Sequence, residues 1–185
     1  MSRARWHNHV NGVQAPNEIG DWLTDPASLT AKLIAHSQSF RVRRVRQQLD
    51  VCRADEAAVI GLVRPEKVHV REVLLNCDAM PVVYAHTILP LSVTRSQWPL
   101  FGGLGEKSLG TTLFGDPQVA RGDLQFARMY RSHPLVQRAQ QLVCDQMELR
   151  DTTPLFARRS LFFRRGGVML VTELFLPPIL GLRRK

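Results

Sequence analysis

Two charged residues sit where charge is costly. Arg71 lies inside the run VHVREVLL (68–75) and Glu173 inside VMLVTELFL (168–176), and the other residues of both runs are mostly apolar. In an extended chain with a side-chain period of two, Arg71 shares its face with Val73 and Leu75, and Glu173 shares its face with Met169, Val171 and Phe175. A carboxylate on such a face loses hydration and needs a cation, a proton or a polar ligand. A guanidinium offers a planar fork of donors to a carboxylate, and a positioned carboxylate can move protons as an acid or base. Three arrangements are open: an Arg71–Glu173 ion pair inside the domain, side chains at a sheet edge reaching water, or a catalytic pair. Glu72, beside Arg71 on the opposite face, competes for either job, and period two does not choose.

Other constellations are weaker. The chain has no GxSxG elbow and no HExxH motif, and of its six histidines only His7 and His9 lie close together. His86, within the apolar run 82–89, reads as a hydrogen-bonded core histidine. Cys52, Cys77 and Cys144 are odd in number and widely spaced, so they read as reduced thiols rather than a disulfide framework or a zinc knuckle. No metal and no cofactor are expected. Leu100–Gly110 carries glycines at 102, 103, 105 and 110. It is not a phosphate-binding loop, because Glu106 stands where that motif demands glycine before Lys107-Ser108, and it reads as a connecting loop.

The elements that must position Arg71 and Glu173 follow from periodicity. Asn17–Leu23 and Ser28–Ser37 read as helices, the second capped by Ser28 after Pro26. Phe40, Val42 and Val45 among arginines read as a half-exposed strand. Val68–Leu75 and Val82–Leu89, joined through Asn76–Ala79 and Pro81, read as an antiparallel hairpin. Pro134–Glu148 carries an apolar stripe of Leu135, Val136, Ala139, Leu142, Val143 and Met147, with Pro134 in its first turn. Phe156–Arg165 and Val168–Leu176 read as a second hairpin, with Gly166-Gly167 at the centre of a type I′ turn.

The chain has 185 residues, 44% of them hydrophobic, which suits a single domain. Residues 1–17 read as a loose lead-in, 18–180 as the domain and 181–185 as a basic tail. The fold class is α+β, an antiparallel sheet of about six strands with flanking helices. The longest run free of Asp, Glu, Lys and Arg, Ala79–Thr94, is shorter than the roughly 18 apolar residues of a membrane span. No apolar segment follows the basic N-terminal residues as in a secretory signal, so a cytoplasmic monomer without stable membrane insertion is expected. With 25 basic against 16 acidic residues the surface attracts anions: nucleic acid, an anionic membrane surface or a small carboxylate or phosphate. The basic residues concentrate at Arg41, Arg43, Arg44 and Arg46, at Arg158, Arg159, Arg164 and Arg165, and at Arg183, Arg184 and Lys185; no aromatics interleave the first group, so solvated strand faces are the reading and nucleic acid is not the expected partner.

Taken in order, DWL (21–23), SLT (28–30), VREVLLN (70–76), ILP (88–90), LGEKSLGTTLF (104–114), ARRS (157–160) and VTELFLP (171–177) resemble the chorismate pyruvate-lyases. The resemblance spans residues 20–178. It implies conversion of chorismate to 4-hydroxybenzoate and pyruvate, the first committed step of ubiquinone synthesis, on a six-stranded antiparallel sheet. The family's ligand-binding residues fall on Leu29, Arg71, Leu109 and Glu173. Arg71 would bind a carboxylate, Glu173 would act as acid or base, and Leu29 and Leu109 would serve through main-chain groups and ring contact. Segments 26–30 and 101–110 would then be flaps over an enclosed pocket, with product release a slow step. The chain departs from the family at Val82, where Trp is common, and at His86, where Arg is. A non-catalytic sensor of small aromatic carboxylates on the same fold is the alternative from another class, and a basic nucleic-acid module is the third.

Overall fold

The structure, a computed structural model, describes residues 4–93, 96–149 and 153–183. Met1–Arg3 of the expected lead-in and Arg184 and Lys185 of the expected tail lie outside these. Among the described residues seven strands form one antiparallel sheet: β1 (Phe40–Val51), β2 (Lys67–Cys77), β3 (Met80–Pro90), β4 (Ala120–Arg121), β5 (Gln125–Met129), β6 (Leu155–Arg164) and β7 (Gly167–Phe175). The order is β1-β2-β3-β7-β6-β4, and β5 also pairs with β6, so β4 and β5 share the sixth position. The expected α+β fold with a sheet about six strands wide is therefore present.

Helices cover both faces. On the front lie α1 (Asn17–Thr24), α2 (Leu29–Ala35) and α4 (Leu109–Gly115), which pack on residues such as Val73, Ala85 and Phe162. On the back lie α3 (Ala54–Ala57) and α5 (Pro134–Val143), packed on Val70, Leu74, Tyr84 and Leu174. Ser28 caps α2, its Oγ accepting from the Ala31 amide at 3.3 Å, and Ser108 opens α4 in the same way. No helix among the described residues is long and apolar enough to cross a membrane.

Both expected hairpins form, and the second differs by one residue at its turn. The left-handed pair is Arg165 (φ 48°) and Gly166 (φ 78°), while Gly167 belongs to β7 opposite Arg164. Gly167 is needed for a different reason: a Cβ there would stand 3.0 Å from the Trp98 ring nitrogen. The register that follows makes Glu173 the direct partner of Arg158.

Two expectations are corrected. The lead-in is docked rather than loose: His7 and Phe126 exchange both main-chain hydrogen bonds at 2.8 Å, Val13 is buried, and the Trp6 ring lies 4.1 Å from the Arg159 guanidinium. Nor are all the arginine clusters solvated, because Arg158 and Arg159 are both buried between the sheet and its cover. Arg41, Arg43 and Arg44, on an edge strand, are exposed as expected.

One cross-strand row on the back face is polar: Arg46, Glu72, His86, Thr172, Arg159 and Gln125 are successive partners from β1 to β5. Glu72 receives Arg46 at 2.7 Å and Arg138 of α5 at 3.0 Å. His86 lies 3.1 Å from Glu56 of α3 and 3.5 Å from Glu72. His86 is thus a core histidine facing away from Arg71, and Glu72 is committed to this ion cluster. Burial pulls the His86 imidazolium down, but the two carboxylates outweigh it and raise its pKa above 6.5. Burial pushes Glu56 and Glu72 up, and contact with His86 first, then with arginines, brings both below 4.5.

The histidine's contribution to stability is complete below pH 6.5 and is lost as pH rises through its higher folded pKa. The carboxylates contribute fully above pH 4.5 and lose that contribution as pH falls through their lower folded values. The cluster therefore stabilises most between pH 4.5 and 6.5. In thermal melts across pH 6 to 9, His86→Asn should decline less steeply than the parent chain. Parallel declines would remove His86 from the account.

Candidate active site

The front face of the sheet and the roof above it line a cavity of about 560 Å³ of non-atom space, counting the solvent at its mouth. Its floor follows from register. Val73, Ala85, Glu173 and Arg158 form one cross-strand row, and Arg71, Thr87, Val171 and Ser160 form the next. All eight line the cavity, and Leu29 and Leu109, the first residues of α2 and α4, line its roof. The structure thus brings the four expected site residues, Leu29, Arg71, Leu109 and Glu173, to one enclosed space.

Arg71 and Glu173 do not pair with each other. Arg71 stands on β2 and Glu173 on β7, two strands away, about 10 Å across the sheet and about 7 Å along it. Arg71 is 2% exposed and uses Nη2 to donate to the carbonyls of Lys107 at 2.9 Å and Gly105 at 3.2 Å. It therefore holds the loop that leads into α4. Its buried Nε has no acceptor among the described residues. Burial and the nearby Arg44 bring its pKa down to about 10, which leaves it charged at neutral pH.

Glu173 is held by Arg158, whose Nε donates to Oε2 at 2.6 Å. Arg158 is 1% exposed, and its Nη1 donates to the carbonyls of Trp22, Leu23 and Asp25, at 3.1, 3.3 and 2.8 Å. One guanidinium thus ties the end of α1 to the acidic group on the floor and satisfies carbonyls that the last helical turn leaves open. Glu173 Oε1 has no hydrogen bond among the described residues. A fourth charged group, Arg121 of β4, lines the same wall. Its Nε donates to Ser160 Oγ at 2.9 Å and its Nη1 to the Pro26 carbonyl at 2.9 Å. Burial and Arg158 lower its pKa.

Arg158 and Arg121 are site residues that sequence reasoning missed. Period two puts Arg158 on a face with Ser160 and Phe162, so the signal was the ARRS segment within a strand of otherwise apolar character. Its pairing depended on the turn: with Gly166-Gly167 central, Glu173 would face Ser160, whereas the observed turn one residue earlier makes Arg158 its partner. Arg121 carried no signal, because β4 is two residues long. Among the described residues, no three His, Cys, Asp or Glu side chains converge where a metal ion would be held.

The roof closes where α2 meets α4. Thr30 Oγ1 and Ser108 Oγ are hydrogen-bonded across the seam. A Cβ on Gly110 would stand 2.7 Å from Thr30 Oγ1, so any larger residue there makes Thr30 shift.

The family model described as chorismate lyase matches residues 1–184. The chain belongs to the chorismate lyase family. A protein of Cupriavidus metallidurans named probable chorismate pyruvate-lyase is 46% identical over 179 residues, covering 96% of this chain and 82% of that one. Another so named from Aromatoleum aromaticum is 44% identical, covering 96% and 94%. Among solved structures, the fold is similar to the C-terminal domain of PhnF, with TM-score 0.56 and 15% identity over 77% of this chain and 86% of that one. It is also similar to the effector domain of PhnF from Mycobacterium smegmatis, with TM-score 0.54 and 17% identity over 82% and 89%. At those identities the likeness concerns the fold alone. The family membership rests on sequence.

Proposed function

We propose that this chain is a carbon–oxygen lyase, a chorismate pyruvate-lyase of the cytoplasm, that converts chorismate into 4-hydroxybenzoate and pyruvate and so commits chorismate to ubiquinone synthesis. The observation that carries the reading is that Arg71, whose buried Nε has no acceptor among the described residues, and Glu173, held through one carboxylate oxygen by Arg158, line the same cavity. A buried guanidinium donor without an acceptor is costly, and a ligand carboxylate satisfies it.

The residues then divide the work by chemistry. Arg71 takes the ring carboxylate, and Leu29 and Leu109 contribute main-chain N–H groups and apolar contact with the ring. Val73, Ala85 and Val171 form the apolar floor beneath it. Glu173, fixed by Arg158, stands by the ring hydroxyl and the ether oxygen. In the reaction the ring loses one hydrogen and its ether arm, and the enolpyruvate so released takes up a proton and becomes pyruvate. No water, oxidant or reductant is consumed, and aromatisation drives the reaction forward. The protein's task is orientation, proton movement and stabilisation of the charge that grows on the ether oxygen.

The test is to incubate purified, metal-stripped protein with chorismate and to follow both products. Equimolar 4-hydroxybenzoate and pyruvate are expected. Tight binding of 4-hydroxybenzoate without turnover would instead make the chain a sensor of aromatic carboxylates.

The roof predicts slow product release, because a bound ring leaves only when α2 and α4 part. Gly110→Ala forces its Cβ against Thr30 and props the seam open. Release of 4-hydroxybenzoate, measured by stopped-flow displacement, should quicken by roughly tenfold. An unchanged rate would place the exit elsewhere.

A further inference from the structure

The cavity holds more positive charge than 4-hydroxybenzoate can use. Of its three arginines, Arg158 is neutralised by Glu173 at 2.6 Å. Arg71 and Arg121 have no carboxylate partner among the described residues. A benzoate product brings one carboxylate to this pair of cations, whereas chorismate brings two.

We propose that Arg121 binds the carboxylate of the enolpyruvyl arm, the anionic group that distinguishes the substrate from its aromatic product. This rests on the lyase reading above and names the residue that reads the second charge. The sheet order is the first support. Along β2, β3, β7, β6 and β4, the charged groups follow as Arg71, then Glu173 with its ion-pair partner Arg158, then Arg121. The substrate presents its parts in the same order: ring carboxylate, reacting ether, arm carboxylate. With Arg71 on the ring carboxylate, the ether comes to Glu173 and the arm points toward β4.

The second support is how Arg121 is held. Its Nε is fixed on Ser160 and its Nη1 on Pro26, and the guanidinium carbon lies 5.7 and 5.5 Å from the rings of Phe114 and Phe162. Nη2 is left without an acceptor among the described residues. A guanidinium restrained in this way is preorganised for an anion. It also acts where charge appears: as the ether bond breaks, negative charge moves onto the departing enolpyruvate, and a fixed cation beside it favours the transition state over the ground state.

The experiment compares two ligands in the full chain. One is 4-hydroxybenzoate; the other is 3-(carboxymethoxy)-4-hydroxybenzoate, which adds an ether-linked carboxylate. Arg121→Gln should weaken the dicarboxylate, and lower kcat/KM for chorismate, by roughly 10- to 100-fold, the loss of a charge-assisted hydrogen bond. Binding of 4-hydroxybenzoate should change by less than about threefold. Equal weakening of the two ligands would mean that Arg121 serves only the roof and would overturn the proposal, as would no change in either. Arg121→Lys keeps the charge and should restore part of the preference. If the glutamine variant does not fold, Arg121→Met is measured in its place, and an unchanged ligand ratio there overturns the proposal. Should the parent chain prefer the dicarboxylate and lose that preference in Arg121→Gln yet turn over no chorismate, the lyase reading fails and the carboxylate site stands.

Discussion

Glu173→Gln lowers kcat for chorismate by about 10² to 10⁴, the range for removing a positioned acid or base. The amide keeps the side-chain volume and can still accept from Arg158 through its oxygen, so the floor of the cavity is retained. What is lost is a group that can take and return a proton beside the breaking bond. Binding of 4-hydroxybenzoate should therefore fall far less than turnover. Arg71→Met gives the opposite profile. It removes the donor assigned to the ring carboxylate and releases the carbonyls of Gly105 and Lys107, so product binding and kcat/KM fall together, by about 10² or more. The measurement is steady-state kinetics with product inhibition for both variants. A glutamine variant with parental kcat would remove Glu173 from the chemistry.

Arg158→Met destabilises the fold and disables the site at once. The guanidinium is 1% exposed and serves Glu173 and three main-chain carbonyls of α1 and its exit. Removing one partner of a buried ion pair leaves the other uncompensated, at a cost of about 3 kcal/mol. For a chain of this length the expected fall in Tm is about 6–12 °C. Turnover falls too, because Glu173 loses the contact that aims it. The double variant Arg158→Met with Glu173→Gln separates the causes. It no longer buries an unpaired carboxylate, so it should be more stable than Arg158→Met alone, and its loss minus the losses of the two single variants, Arg158→Met and Glu173→Gln, is the coupling between the two residues. Additive losses would show that Arg158 matters through α1 and not through Glu173.

Arg71 and Glu173 were legible in the chain because charge inside a strand of apolar residues is rare and period two is strict. Arg71 and Glu173 could be assigned to faces, and the cavity uses those faces. The hairpins, the Ser28 cap and the helix after Pro134 were legible for the same local reason: turn chemistry, capping and periodicity act within a few residues. The helix after Pro134 ends at Val143, short of the Glu148 expected from its stripe, since the last residues of an apolar pattern need not stay helical.

Pairing was not legible. Whether Arg71 meets Glu173 depends on how many strands separate them, and β7 enters the sheet beside β3 through a contact between residues far apart in the chain. Whether Glu173 meets Arg158 or Ser160 depends on a one-residue difference in where the turn sits, which moves the register by two. The same dependence turned Arg158 and Arg159 from expected surface charges into buried ones, because β6 lies inside the sheet while β1 lies at its edge. Residue type and spacing therefore identified the groups able to do the chemistry. Strand order and register, which arise only when distant segments pack, decided that Arg158 restrains Glu173 while Arg71 and Arg121 line the same cavity without a carboxylate partner among the described residues.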